Sequence, residues 1–187
     1  MEAAAYGTTT PLSQDTSESD VFSQQATDLR PSKRVSDTFD YWVSPGYFTT
    51  AEIPLLAGRE VSFADTVKTP PVAIVNREFV RRLFHFDNAH ADDAVGGYFK
   101  SSSGQPIQIV GVVADGKYFS LTKDPEAGAF HPISQQPTAH TSFIVRLRPD
   151  SSDAATNEMG ATIRKLIRDL TPLFLCASPA SGRTSLD

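Results

Sequence analysis

One unit of the chain constrains its fold more than any other: an apolar run, a polar cap and an apolar helical stripe in immediate succession. Pro71-Val-Ala-Ile-Val75 is a short, continuous apolar run of strand length. Asn76 follows, and its short amide suits the N-cap of a helix, where the side-chain oxygen takes up an otherwise unpaired backbone N–H. Phe79, Val80, Leu83 and Phe84 then recur at three and four residues, which gives that helix one apolar face.

Other segments are read in the same way. Thr38-Phe-Asp-Tyr-Trp-Val43 alternates as a half-buried strand and is broken by Ser44-Pro-Gly46. Ser44 is expected to cap a short helix that opens on Pro45 and carries Tyr47 and Phe48. Gly96-Gly97 leads into Tyr98-Phe-Lys100, and Pro106 to Val113 reads as a strand that ends at a hairpin-type turn, Asp115-Gly116. Thr141 to Arg148 alternates from Phe143 to Leu147. A closing helix is expected over Ser152 to Leu170, with Met159, Ile163, Leu166 and Ile167 on one face. Ala3 to Tyr6 suits a short strand or a helix end. Thr8 to Lys33 is polar and reads as a long loop with one weak strand near Val21-Phe22. Strands and helices mix without a regular βαβ rhythm and without an internal repeat, so the expected class is α+β.

Composition narrows the function classes. Over 187 residues, hydrophobic side chains make up 40% and charged ones 21%, enough to bury a real core. A net charge of −5 argues against nucleic acid as a partner, because phosphate binding calls for a basic excess. No apolar run approaches the ~20 residues of a membrane helix. Met1 to Thr10 has neither the basic nor the apolar part of a secretory leader, so export is expected to rest on another segment. The single cysteine, Cys176, excludes an internal disulfide and sits in an apolar string as a small hydrophobe.

Catalytic motifs are missing from the sequence: it holds no phosphate-binding glycine loop, no nucleophile elbow and no paired cysteines. His85, Asp87, His90 and Asp92 are metal-ligand types, and a metal-dependent hydrolase would use such donors. They lie in a polar stretch with no apolar anchor, so solvated, scattered donors are the expectation. Arg77, Arg81 and Arg82 are expected on a solvated helix face, with an anion site as the opposing reading. Ser44, His131 and Asp115 include the residue types of a hydrolytic triad, but no spacing supports one. Tyr118 and Phe119 either meet a partner or lie in a core under their loop.

The wording of several segments carries further. Val43-Ser-Pro-Gly-Tyr-Phe48, Ile53-Pro-Leu-Leu-Ala-Gly-Arg59, Pro71 to Phe79 with Leu83-Phe84, Ile107 to Asp115 and Pro132-Ile-Ser-Gln135 occur in one consistent order. Together with the closing strand and helix, they make the stretch from Ser36 to Leu170 resemble the periplasmic core domain of MacB/FtsX-type ABC transporter permeases, closest to an acidobacterial-type permease. Two departures stand out. Phe86 to Val95 is longer than the corresponding connection of that family. Met1-Glu-Ala-Ala-Ala5 is similar to the middle of such a domain, which places an upstream strand and helix before it.

That resemblance implies a two-lobed extracytoplasmic domain: a porter-like lobe from residues 1–43 and 138–187, and an inserted α+β lobe from 44–137. It implies a non-catalytic role, with no cofactor and no metal. The domain would transmit the motion of its own transmembrane helices, driven by a cytoplasmic ABC ATPase in a dimeric full-length protein, to an exported substrate or periplasmic partner. An alternative is a module that binds a ligand or lipoprotein in an apolar cleft. Tyr47, Phe48, Tyr118 and Phe119 are expected to line that cleft, between the lobes, and to face the partner. Arg59 is placed to pair with Asp65, or to stand as a plain surface arginine.

Overall fold

The computed structural model describes residues 2–8, 17–84, 91–116, 124–138, 141–148 and 152–175. In chain order the elements are β1 (Ala3–Gly7), β2 (Ser17–Ser23), β3 (Ser36–Val43), α1 (Tyr47–Thr50), β4 (Leu55–Gly58), β5 (Val72–Asn76) and α2 (Arg77–Phe84). They continue with α3 (Ala91–Ala94), β6 (Tyr98–Lys100), β7 (Pro106–Val113), β8 (Gly128–Pro132), β9 (Ser142–Arg146) and α4 (Asp153–Leu175). The fold is α+β and dominated by its sheet.

Strand pairing closes on itself. β5 runs parallel to β7 and antiparallel to β8, β8 parallel to β3, and β3 antiparallel to β2. β2 then pairs with β6, and β6 with β7, so six strands form a hydrogen-bonded ring. β4 pairs with β7 outside the ring's path. β1 joins β3 at Gly7↔Val43 and runs antiparallel to β9 from Ala3↔Arg146 to Gly7↔Ser142.

Side-chain alternation divides the apolar residues between two cores. Ala73 and Val75 of β5, Ile109 of β7, Ala129 of β8 and Phe99 of β6 fill the ring, together with Phe79, Val80 and Leu83 of α2. Val72 and Ile74 point the other way, into a core with Tyr41, Val43, Phe130 and the α1 residues Tyr47 and Phe48. Both faces of β5 are therefore buried, which is why its sequence runs apolar without interruption.

Asn76 caps α2 as its position predicts, its Oδ1 accepting the Phe79 N–H at 3.0 Å. The expected cap at Ser44 is not formed. Gly46, at φ 78°, occupies the N-cap of α1, and the Ser44 hydroxyl instead accepts the Tyr6 N–H at 3.0 Å. Only glycine takes that left-handed conformation without strain, and this sets where the helix starts.

Asp115-Gly116 does not close a hairpin: β7 and β8 are not neighbours, because β5 lies between them. The polar stretch from Thr8 to Lys33 contains a full strand, β2, whose Val21 and Phe22 are deeply buried. β4 and β8 are strands that the sequence patterning does not reveal, and α4 runs five residues beyond Leu170.

Contacts divide the chain into two units, Met1–Arg146 and Leu147–Asp187. β3 and β8, which the lobe boundaries expected at residues 44 and 137 assign to different lobes, form a hydrogen-bonded parallel pair within the first unit.

Candidate functional site

The ring has two different ends. Where β5 finishes and β3 begins, α2 lies across the opening. Glu78, 7% exposed, binds Arg81 through two hydrogen bonds of 2.7 and 2.8 Å and Arg82 at 2.6 Å. Arg82 reaches on to Asp37 of β3 at 3.4 Å. The Glu78 N–H donates to Asp115 at 2.8 Å, and burial pushes the Asp115 carboxyl above the ordinary range. Two members of the arginine trio are thus paired with a nearly buried carboxylate, and Arg82 ties this end of α2 to β3.

The other end is open. A cleft of about 310 Å³ enters the ring there, lined by Asp40 and Trp42 of β3, His131 of β8, Ser19 of β2 and the apolar floor of Phe99 and Ile107. Register explains the grouping. Trp42 lies directly opposite His131 across the parallel β3–β8 ladder, and Asp40, two residues back, shares Trp42's side of the strand. The Trp42 and His131 rings stack at 5.5 Å, and His131 Nε2 lies 3.3 Å from Asp40 Oδ1.

A braced segment forms the rim. Arg59 makes a forked pair with Asp65, both contacts at 2.8 Å, and the Ser62 N–H donates to the same carboxylate at 2.7 Å. The Arg59 guanidinium holds the Asp65 carboxyl below the usual carboxylate range. The Ser134 hydroxyl donates to the Asp65 carbonyl, and Gln135 donates to the Pro70 carbonyl at 2.8 Å while accepting the Val72 N–H at 3.1 Å. Thr66 and Val67 are thereby fixed beside the cleft.

These positions revise the expected site. Tyr47 and Phe48 are 1% and 0% exposed, so neither faces a partner. Their rings pack at 5.6 Å, and Phe48 meets Phe130 at 5.0 Å. Burial also pushes the Tyr47 hydroxyl up to about 12, out of reach of proton transfer near neutral pH. Aromatic residues beside a Pro-Gly turn read equally well as surface or core, and only the packing of α1 against β8 decides. Tyr118 and Phe119 lie outside the described residues, as do His85, Asp87 and His90.

Among the described residues no three His, Cys, Asp or Glu side chains are placed to hold a metal. Ser44, His131 and Asp115 are not brought together, since each is engaged with a different partner: the Tyr6 N–H, Asp40 and the Glu78 N–H. Sequence reasoning missed the grouping of Asp40, Trp42 and His131. Its one signal is the spacing of two in β3, and its other half sits on the unrecognised strand β8.

Comparison with known proteins places this architecture. The MacB-like periplasmic core domain matches residues 9–162. The chain belongs to that family. The MacB-like fold is shared with the periplasmic region of MacB from Actinobacillus actinomycetemcomitans, at 13% identity and a TM-score of 0.59, over 96% of this chain and 78% of that one. It is shared too with the extracellular domain of the noncanonic ABC-type transporter YknZ from Gram-positive bacteria, at 12% identity and a TM-score of 0.52, over 83% of this chain and 69% of that one. Comparison with the curated proteins gives no match. The MacB-like assignment makes this a periplasmic domain of an ABC transporter permease, with membrane helices and an ATPase in the full-length protein. Among the described residues no helix is long and apolar enough to cross a membrane.

Proposed function

We propose that this periplasmic domain is non-catalytic and relays the motion of the permease's transmembrane helices to an exported substrate or a periplasmic partner. One observation carries the reading: the first and last strands of the unit, β1 and β9, are hydrogen-bonded neighbours over five residue pairs. Movement at β9 is therefore shared by β1 and, through Gly7↔Val43, by β3. α1 and Ser44 tie this pair to the ring. The Ser44 N–H donates to the Tyr6 carbonyl at 2.8 Å, while its hydroxyl accepts the Tyr6 N–H. A ring with a close-packed core on each side of β5 moves as a body. Dimerisation of the full-length permease would set two such bodies against one another.

The test separates the domain from its drive. A flexible glycine-serine insertion after Arg146 in the full-length permease leaves ATP hydrolysis in place and abolishes transport. Undiminished transport with the insertion overturns the relay. The opposing binding-module reading loses Tyr47 and Phe48, which are buried in the α1 core.

A further inference from the structure

The open mouth of the strand ring has a chemistry that the relay does not use. We propose that it binds a single neutral sugar ring, free or as the end of a glycan. The inference is independent of the relay, since either can hold without the other.

Charge decides first. The cleft is lined by no lysine or arginine among the described residues, so an anionic ligand would be desolvated without a counter-charge and beside Asp40. A cation gains little, because Asp40 is only 12% exposed and faces His131. What remains is neutral and hydrogen-bonding. The amides of Gln105 and Gln136 each offer both donors and acceptors, and the Ser19 hydroxyl adds to them from β2. Hydroxyl groups of a ligand, which donate and accept at once, match such a lining.

Trp42 supplies the second half. Its indole stands in the wall, held by its stacking on His131, and offers a flat apolar surface with one N–H. A pyranose has that same duality, an apolar C–H face and a rim of hydroxyls. The volume, about 310 Å³, lies at the small end of ligand sites and suits one ring more than an extended molecule. The rim braced by Asp65 and Gln135 is fixed before any ligand arrives, so little ordering cost falls on binding.

The chain carries its own reporter, for Trp42 is the sole tryptophan. Its fluorescence is followed while the purified chain is titrated with glucose, N-acetylglucosamine, the β-1,4-linked trimer of N-acetylglucosamine, and glycylglycine. We expect a saturable change with sugar at a Kd of about 1 mM. Replacing Gln105 and Gln136 together with alanine weakens it about tenfold or more, as expected for lost ligand hydrogen bonds. Both glutamines are exposed, so the variant keeps its fold and its melting curve. Tighter binding of the trimer than of the monosaccharides identifies a glycan end as the source, and equal binding identifies a free sugar. No saturable change with any sugar overturns the proposal. So does an unaltered response in the double variant, or glycylglycine binding as tightly as the sugars, which would make the mouth a peptide site.

Discussion

Asn76→Ala tests how the plugged end of the ring is held together. The Asn76 side chain is fully buried at the junction of β5, α2 and the start of β8. Its Oδ1 accepts two backbone N–H groups, from Phe79 at 3.0 Å and Gly128 at 2.9 Å, and its Nδ2 donates to the Glu126 carbonyl at 2.8 Å. Alanine removes all three bonds and leaves two donors and one acceptor without a partner where water has poor access. Each such group costs about 1–3 kcal/mol, and partial relaxation brings the total to roughly 3–5 kcal/mol. Against a domain stability of about 5–15 kcal/mol this is a large fraction. With a urea slope of about 2 kcal/mol per molar, the unfolding midpoint falls by roughly 2 M. Thr49→Ala is the control, because it removes an exposed hydrogen bond to Glu60 of 3.0 Å and should stay within about 0.5 kcal/mol of the parent. If both variants unfold at the same urea concentration, the argument that burial sets the cost of these bonds is refuted.

Phe48→Ala is expected to cost about 3–5 kcal/mol, the loss for a fully buried aromatic ring, whereas a partner-facing residue would leave the melting temperature unchanged. Asp65→Asn should flatten the acid limb of the stability curve. The folded pKa of Asp65 lies below the unfolded value of about 3.9, so its contribution is present above that pH and is lost as pH falls through the folded value. Urea midpoints between neutral and strongly acid pH check this, and parallel curves for parent and variant contradict it. Metal analysis of protein purified without chelator or affinity tag should return no stoichiometric zinc or manganese. One ion per chain that is lost in His90→Ala would overturn the non-catalytic reading.

Local patterning was enough for the elements whose signals are carried by neighbouring residues. The run from Pro71 to Val75, the Asn76 cap and the stripe from Phe79 to Leu83 became β5, the cap of α2 and α2, because periodicity and capping act within a few residues. The order of the segments also carried the family, and the α+β class with it. β8 was hidden, and β2 showed only as a weak strand near Val21-Phe22, because their stability comes from partners distant in sequence. Ser17–Ser23 is polar on its own and becomes a strand by pairing with β3 and β6. The candidate site depended on the same long-range pairing: Trp42 and His131 are 89 positions apart and meet only because β3 and β8 run parallel in one register. Composition and spacing determine which faces of each element are apolar. Only the closure of six strands decided which of those faces became core and which, at Asp40, Trp42 and His131, was left as the wall of an open cleft.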